Sequence, residues 1–342
     1  MSIPAILFFN FTKTKTKNLM YPLKFEPILK SLIWGGDKIA SFKNVQTDQK
    51  NIGESWEVSQ VEGDVSVVSN GPEKGKNLAD LIHEYKAVLL GEKVYKRFGE
   101  MFPLLIKFID ARDNLSIQVH PDDELAKKRH NSFGKTEMWY VMDAEKDAKI
   151  LCGFSKQIDA DEYVNRVNNN TIMDAIQSYE AKEGQVFYLP AGRIHAIGAG
   201  SFIAEIQQTS NITYRIYDYD RRDKNGNARE LHTELAKDAL DYTVYPSYLS
   251  EYEKHDDSAN QIVTSPYFTT NYLPITSEIR RNHLSSDSFV IYICMKGKAE
   301  LTDANGFKVS VSRGESVLIP ASVADITLIP AEPTELLETY IG

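Results

Sequence analysis

The sequence predicts a mainly β protein made of two jelly-roll β-barrels with a few inserted helices. A strand–turn–strand pattern between residues 184 and 195 supports the first barrel. A β-rich run ends at Pro190, and Gly192 permits the tight turn that returns the chain into a second strand carrying His195. The stretch 314–322 repeats this pattern in weaker form. Two copies of one strand pattern indicate two copies of one barrel.

Two strand-like stretches, 115–120 and 135–141, each carry a polar face. Side chains alternate along a strand, so residues two apart point the same way. The side chains that share these faces are Ser116, Gln118 and His120 on the first stretch and Lys135, Glu137 and Trp139 on the second. We expect both faces to point into the first barrel, as His195 does.

A candidate metal site follows from these faces. Its predicted ligands offer two imidazole nitrogens and two side-chain oxygens, and they are Gln118, His120, Glu137 and His195. Zn²⁺ accepts imidazole and carboxylate ligands together, and a ligand set without cysteine argues against a structural zinc site. The sequence therefore predicts one Zn²⁺ per chain, with a coordination position open to water or substrate.

The second barrel is predicted to lack a metal. Asp325 stands where the repeated pattern places His195, and no Gln-x-His sequence precedes it. His283 lies near this pattern, and we expect it to be a surface residue rather than a metal ligand.

Together these motifs resemble the type I mannose-6-phosphate isomerases (phosphomannose isomerases) of the shorter bacterial form, which belong to the cupin superfamily. The matching segments run in family order over about residues 20–240. They include Gly53-Glu-Ser-Trp-Glu-Val-Ser59, Ser116-Ile-Gln-Val-His-Pro-Asp122, Lys135-Thr-Glu-Met-Trp139 and Thr213-Tyr-Arg-Ile-Tyr-Asp-Tyr-Asp-Arg221. The combination of Gln-Val-His with Lys-Thr-Glu-Met-Trp is specific, whereas the Gly-Pro-Gly-His spacing by itself indicates only a cupin barrel.

The resemblance implies an aldose-ketose isomerase of mannose metabolism. Such an enzyme interconverts mannose 6-phosphate and fructose 6-phosphate through a metal-stabilised cis-enediol or enediolate, and a zinc ion would polarise the sugar carbonyl. By the same resemblance, Arg215 is the cation that stabilises the enediolate. An arginine stays protonated at ordinary pH and is therefore a poor proton carrier.

Two residues compete for the role of the base that moves the proton. Lys135 is the preferred candidate, because it shares a strand face with Glu137 and a lysine near Zn²⁺ and an arginine is expected to have a lowered pKa. Glu205, ten residues after His195, is the alternative. Long-form relatives usually carry a tyrosine two places after the last histidine ligand. This chain has Ile197 there, so a role for that phenol does not transfer.

The substrate phosphate requires a separate subsite. Arg221 follows Arg215 by six residues, where the family presents a basic residue to phosphate, and arginine suits bidentate phosphate recognition. Ser116 lies one strand step from Gln118 and is assigned to the same subsite. An ordinary strand serine and a solvated turn arginine remain the alternatives for these two residues. Trp139 is either a platform for the sugar or a core residue.

Other classes of protein fit part of the pattern. Two histidines and one carboxylate would suffice for an Fe²⁺ oxygenase, and a cupin that only binds a sugar phosphate, or isomerises a related phosphosugar, needs no different fold. Gln118 and Lys135 beside the ligands favour the sugar-phosphate isomerase over dioxygen chemistry.

Composition limits the partners and the compartment. The formal charge of -9 disfavours nucleic-acid binding, which depends on clustered Lys and Arg. No apolar run approaches the roughly 20 residues of a membrane-spanning helix. Cys152 and Cys294 are predicted to be buried free thiols of a reducing compartment. We expect a cytoplasmic enzyme with a phosphosugar substrate, present as a monomer or weak homodimer.

The chain is expected to divide into three parts. These are a disordered leader or upstream start at 1–19, a catalytic metal-binding cupin domain at 20–245 and a degenerate cupin domain without metal at 246–342. Helices are predicted from residue 78, with Asn77 as N-cap and Gly91 beyond the end, and then at 92–98, in two pieces between 159 and 178, and at 229–242. Residues 247–260 have the polar composition of a linker.

Overall fold

The computed structural model describes residues 20–222 and 225–342. The leader predicted at 1–19 lies outside the described residues. Strands dominate the described chain and form two successive units, each built on two large sheets, and the first unit also has a small two-stranded sheet. This confirms the prediction of a mainly β protein. None of the described helices has both the length and the apolar composition needed to cross a membrane.

The first unit holds the strands up to residue 250. In chain order they are β1 (Ile28–Gly36), β2 (Ile52–Val58), β3 (Gln60–Val61), β4 (Asp64–Val65), β5 (Leu104–Asp110), β6 (Ile117–Val119), β7 (Glu137–Ala144), β8 (Lys149–Phe154), β9 (Ile176–Glu180), β10 (Val186–Leu189), β11 (His195–Ile197), β12 (Ser201–Gln208), β13 (Tyr214–Tyr217) and β14 (Leu249–Ser250). A seven-stranded sheet ordered β1-β2-β5-β12-β7-β10-β14 faces a five-stranded sheet ordered β13-β6-β11-β8-β9.

The second unit contains the remaining strands. They are β15 (Asn260–Thr264), β16 (Thr269–Ile275), β17 (Ile279–Asn282), β18 (Val290–Lys296), β19 (Lys298–Asp303), β20 (Lys308–Ser312), β21 (Ser316–Ile319), β22 (Asp325–Pro330) and β23 (Thr334–Tyr340). Their sheets are ordered β15-β16-β23-β18-β21 and β17-β22-β19-β20. When the strands β16 to β23 are matched in chain order with β5 to β12, the row β16-β23-β18-β21 corresponds to β5-β12-β7-β10. The row β17-β22-β19-β20 corresponds in the same way to β6-β11-β8-β9. The predicted duplication of a jelly-roll unit is therefore confirmed.

The outer face of the seven-stranded sheet packs against the second unit. Buried side chains of both units form one hydrophobic cluster, in which the rings of Tyr140 and Tyr272 stack with their centroids 5.9 Å apart. Lys43 adds a buried polar link: its ammonium is 2.7 Å from Glu57 and also donates a hydrogen bond to the carbonyl of Gly314. The seven-stranded sheet is thus covered on both faces, which holds its strands rigidly.

Helices connect the strands and cover the sheet edges. The described α-helices are α1 (Lys38–Lys43), α2 (Leu78–Tyr85), α3 (Ala87–Leu90), α4 (Glu92–Phe98), α5 (Asp123–His130), α6 (Ala160–Asn168) and α7 (Thr233–Ala239), with 3₁₀ turns at Ile172–Ala175 and Leu284–Ser286. The prediction of α4 is confirmed, and Asn77 caps α2 as predicted by accepting a hydrogen bond from the N–H of Asp80. A break at Lys86, whose φ is 49°, divides the first predicted helix into α2 and α3.

Three helices and one strand depart from the predictions. Helices α1 and α5 are not predicted, because α5 buries only Ala126 and α1 buries only two residues, so neither has a strong apolar stripe. The side chain of Asp122 starts α5 by accepting from the N–H of Leu125. The helix predicted at 229–242 is shorter than expected. The predicted linker contains β14, which pairs with β10, so the first unit continues past residue 245.

A buried ionic cluster lies inside the second unit. Glu338 is fully buried and accepts hydrogen bonds from Arg281 at 2.9 and 2.8 Å, from the Tyr292 hydroxyl at 2.9 Å and from Asn271 at 2.8 Å. His283 is only 8% exposed, and its Nε2 lies 2.7 Å from the Tyr292 hydroxyl. The expectation that His283 lies on the surface is therefore wrong. The hydroxyl of Tyr292 provides the polar partner that a buried imidazole needs.

Candidate metal centre

Strands of the two facing sheets bring the predicted ligands together. Antiparallel pairing aligns His195 of β11 with Gln118 of β6, and His120 follows β6 on the same face. Glu137 begins β7 in the opposite sheet. One donor atom each of His120, Glu137 and His195 lie within 4.8 Å of one another, and all three side chains are buried. The amide nitrogen of Gln118 is 3.2 Å from Nε2 of His195, so the fourth predicted ligand lies beside the other three.

Backbone carbonyls fix the orientation of both imidazole rings. Nδ1 of His120 donates to the carbonyl of Ile212, and Nδ1 of His195 donates to the carbonyl of Arg193, each at 2.8 Å. Burial lowers the pKa of His195 to about 3 and that of His120 well below its usual value. Both rings are therefore neutral near pH 7, and each keeps an unprotonated Nε2. These atoms lie 3.5 and 3.3 Å from the oxygens of Glu137.

The centre therefore has an excess of lone pairs that requires a cation. The side chain of Glu137 is fully buried, and burial raises its pKa above the usual value of a glutamic acid. The ammonium of Lys135 lies 2.9 Å from Oε2 of Glu137 and 3.1 Å from Nε2 of His120. Two neutral imidazoles and one carboxylate, all aimed at one point, form a donor set that a divalent transition metal accepts. The residues present thus fit a metal ion.

A cleft of about 370 Å³ opens beside this centre. Its polar lining consists of Glu54, Lys107, Ser116, Gln118, Lys135, Glu205, Asn211, Thr213, Arg215 and Arg229. Its apolar lining includes Leu32, Trp34, Trp56, Ile109, Leu115 and Ile197. Larger clefts of about 490 and 730 Å³ lie where the two units meet, but they contain none of the candidate ligands. The chemistry of the donors, rather than cavity size, identifies the functional cleft.

The structure brings both predicted proton carriers and the predicted arginine to this cleft. Lys135 and Glu205 line it together with Arg215, whose Nη1 donates to the carbonyl of Glu230 at 2.9 Å. Burial by itself raises the pKa of Glu205, but the positive charges of Lys107 and Lys135 outweigh burial and lower this pKa to about 2. Glu205 is therefore an ionised carboxylate at neutral pH.

Trp139 is a core residue and not a wall of the cleft. Its side chain is fully buried, and its indole N–H donates a hydrogen bond to Oε2 of Glu205 at 2.8 Å. Of the two alternatives for Trp139, this burial favours a core residue over a platform for the sugar, and the indole N–H supports the carboxylate of Glu205. Since its ring also meets that of His195 edge-on, with centroids 5.2 Å apart, it packs between two site residues.

The predicted phosphate ligands differ in position. Ser116 lines the cleft, whereas the guanidinium of Arg221 reaches the carbonyl of Asn114 and lies 4.0 Å from Asp218. Arg229 also pairs with Asp218, at 2.7 Å from its Nε, and this second arginine does line the cleft. Two guanidinium groups therefore share one carboxylate and leave a local positive charge beside the cleft.

Sequence reasoning missed three charged residues of the cleft: Glu54, Lys107 and Arg229. One signal was present for Lys107, because it interrupts the apolar strand β5, whose sequence is LLIKFID. A lysine at the centre of a fully buried strand requires a charged partner, and it therefore indicates a polar interior. No comparable local signal marks Arg229, which lies in an irregular segment.

Known proteins resemble this chain over most of its length. The family model described as "Phosphomannose isomerase type I, catalytic domain" matches residues 23–157. Mannose-6-phosphate isomerase ManA of Bacillus subtilis is 32% identical over 90% of this chain and 95% of its own length. The mannose-6-phosphate isomerase of Streptococcus mutans is 31% identical over 88% of this chain and 93% of its own length. The crystal structure of a mannose 6-phosphate isomerase from Bacillus subtilis superposes with a TM-score of 0.84 at 30% identity and covers 94% of this chain and 99% of that one.

Metal content tests the centre independently of any activity. The purified protein is expected to hold one equivalent of metal per chain, as measured by elemental analysis. His120→Ala and His195→Ala should each lose most of it, because a site with two remaining strong donors binds far more weakly. Asp325→Ala is the control, since Asp325 occupies the equivalent strand position in the second unit and is exposed. Two equivalents, or a loss of metal in Asp325→Ala, would contradict this assignment.

Proposed function

The chain belongs to the type I phosphomannose isomerases, and we propose on that premise that it interconverts mannose 6-phosphate and fructose 6-phosphate. The observation that carries the proposal is the buried cluster of His120, Glu137 and His195 at a cleft lined by lysine and arginine. An aldose-ketose isomerase needs a cationic centre for the negative charge that develops on oxygen and a base for the carbon-bound proton. The cleft offers both kinds of group to a small anionic substrate.

The metal is proposed to be Zn²⁺, one per chain, held by Gln118, His120, Glu137 and His195. When bound, it would act as a Lewis acid that polarises the sugar carbonyl. Arg215 adds a permanent positive charge on the wall of the cleft, and its buried Nε has no hydrogen-bond partner within the described residues. We propose that Arg215 stabilises the enediolate oxygen, since an arginine provides charge without exchanging protons.

Glu205 is the better supported of the two proton carriers. Lys107 and Lys135 keep the carboxylate of Glu205 ionised, so its oxygens have lone pairs that can take a proton, whereas the side-chain nitrogen of Lys135 is engaged by Glu137 at 2.9 Å and by His120 at 3.1 Å. We propose that Glu205 takes the proton from one sugar carbon and returns it to the adjacent carbon. Lys135 remains the alternative, because it lines the same cleft and its contacts would change if a metal took its place beside Glu137.

The phosphate is proposed to lie at the end of the cleft that Ser116, Arg221 and Arg229 approach. Arg221 and Arg229 share the single buried carboxylate of Asp218, so the group keeps a positive charge for an anion. Nη1 of Arg221 is buried and makes no hydrogen bond within the described residues, which leaves a donor for a phosphate oxygen.

The remaining assignments concern organisation. We propose that the catalytic work belongs to the first unit and that the second unit binds no metal, because Asp325 accepts a hydrogen bond from Asn282 on its surface. Both cysteines are buried free thiols, which supports the proposal of a cytoplasmic enzyme. A monomer or weak homodimer is proposed for its oligomeric state.

The activity itself is tested with the purified protein and mannose 6-phosphate, by coupling formation of fructose 6-phosphate to a detectable reaction. Turnover is expected, and a chelator should abolish it until Zn²⁺ is restored. The same assay with other aldose phosphates provides the comparison. A metal-loaded protein that turns over another phosphosugar but not mannose 6-phosphate would contradict the proposed substrate.

The proton carrier is tested by exchange of the substrate C2 proton with deuterium oxide. Glu205→Gln is expected to lower kcat by about 100-fold or more and to suppress deuterium incorporation, because an amide cannot accept the proton. Metal content should stay at one equivalent. Lys135→Met is the matched comparison and should retain measurable exchange. If Glu205→Gln exchanges at the wild-type rate while Lys135→Met does not, the lysine is the base.

Phosphate recognition is tested by comparing three neighbouring arginines. Arg221→Ala and Arg229→Ala are each expected to raise KM about 10-fold or more, the cost of a lost charged hydrogen bond, with a smaller effect on kcat. Arg222→Ala is the control, because its exposed side chain bonds only to the carbonyl of Gly226 within the described residues. If Arg221→Ala or Arg229→Ala leaves KM unchanged but removes most of kcat, the replaced arginine belongs to the reaction centre and not to the phosphate subsite.

A further inference from the structure

His232 holds the backbone of Arg215 at the edge of a sheet. Strand β13 forms one edge of the five-stranded sheet, where Arg215 is aligned with Gln118 of β6, and Gln118 with His195 of β11. The N–H of Arg215 donates a hydrogen bond to Nδ1 of His232 at 3.0 Å, and the N–H of His232 donates to the carbonyl of Arg215 at 2.7 Å. One residue thus binds both backbone groups of Arg215.

The side chain of Arg215 is held by the same segment of chain. Its Nη1 donates to the carbonyl of Glu230 at 2.9 Å, two residues before His232. Arg229, the residue before Glu230, pairs with Asp218, which directly follows β13. The segment therefore contacts Arg215 at its backbone and at its guanidinium, and these contacts together set the direction in which the charge of Arg215 points along the cleft.

The start of α7 shows that the ring of His232 does not serve its own helix. His232 is the N-cap residue of α7, a position where a polar side chain commonly accepts a hydrogen bond from the first N–H groups of the helix. The imidazole makes no such bond. It bonds to the N–H of Arg215 on the neighbouring strand instead. The side chain therefore supports β13 rather than α7.

This hydrogen bond requires one form of the imidazole ring. The N–H of Arg215 needs an acceptor, so Nδ1 of His232 has to be unprotonated and the proton of the neutral ring lies on Nε2. Burial lowers the pKa of His232 below its usual value, although the charge of Glu230 raises it. The ring is therefore neutral at pH 7, and Nδ1 is available as the acceptor.

A second histidine supports the same strand without bonding to Arg215. Nε2 of His130, the last residue of α5, lies 2.8 Å from the hydroxyl of Tyr214. The rings of His130 and His232 both lie near that of Tyr214, with centroids 5.8 and 6.3 Å away. A comparison of the two histidines therefore separates general support of β13 from support of Arg215.

We propose that His232 is a positioning residue for the isomerisation, whose Nδ1 fixes the backbone of Arg215 so that the guanidinium points to where negative charge develops on the substrate. His232 acts on the substrate through Arg215. The inference rests on the proposed function, since it assigns a role within the same cleft.

The test compares three replacements of His232 in the metal-loaded enzyme with mannose 6-phosphate. In asparagine, Oδ1 is bonded at the same distance from Cβ as Nδ1 of histidine, whereas Oε1 of glutamine corresponds to Nε2. His232→Asn should therefore keep kcat within about 3-fold of the wild-type value, whereas His232→Gln and His232→Leu should lower kcat about 10- to 100-fold with a smaller change in KM. Metal content should stay at one equivalent in all three.

A double-mutant cycle tests whether the effect passes through the arginine. His232→Gln in the Arg215→Met background should cost almost nothing more in kcat, because the group that His232 positions is already absent. His130→Leu is the matched control, since it removes a hydrogen bond from the same strand but none from Arg215. It should lower the melting temperature and leave kcat of the folded enzyme near the wild-type value.

The comparison of His232→Asn with His232→Gln decides the outcome if His232→Leu does not fold. Equal kcat in these two variants, or additive losses in the cycle, would overturn the positioning role while leaving the isomerase assignment intact. A fall in kcat of the same size in His130→Leu would reduce the effect to general support of β13. A wild-type protein without isomerase activity would instead overturn the proposed function, and the inference with it.

Discussion

The burial of Glu137 between two neutral imidazoles is the constraint on which the rest of the site depends. A carboxylate removed from water needs a positive partner, and the unprotonated nitrogens of His120 and His195 cannot provide one. The unit therefore has to hold a cation at this point. Lys135 is the cation that the chain itself supplies, and a divalent metal is the cation for which the donor geometry is suited.

The same constraint extends along the wall of the cleft. Three carboxylates lie on the inner face of one sheet, those of Glu54, Glu137 and Glu205. Two positive charges, on Lys107 and Lys135, form ion pairs with them. A divalent metal ion would add two positive charges, which would change the sum over these groups from −1 to +1 and make them attractive to an anionic substrate. The rigid support comes from the opposite face of this sheet, which packs on the second unit and leaves the strands little freedom to separate the charges.

The second unit balances the charge of its buried glutamate with its own side chains. Its sheets repeat the strand order of the first unit, but the interior charge of Glu338 is satisfied by Arg281, Tyr292 and Asn271. A carboxylate with this many donors needs no further cation. The two units thus balance a buried glutamate in different ways. The second unit uses the internal Arg281, whereas the first unit has a site that is open to a metal.

Features that depend on local period and spacing could be predicted from the amino-acid order. Alternation placed Gln118, His120 and Glu137 on inward faces, the turn at Gly192 delivered His195, and the repeated pattern indicated two barrels, because a strand has a fixed period of two and a turn has fixed residue requirements. The family resemblance added the activity and the metal.

Which charged side chains come into contact depends on the three-dimensional fold. Three such features depend on the register between strands that are distant in the chain. They are the pairing of Lys107 with Glu205, the burial of His283 and the position of Trp139 behind Glu205. Short helices such as α5 also escaped prediction, since a single cap and the neighbouring sheet stabilise them rather than a strong apolar stripe. Electrostatic partners act through space, and a sequence records only the order of the residues.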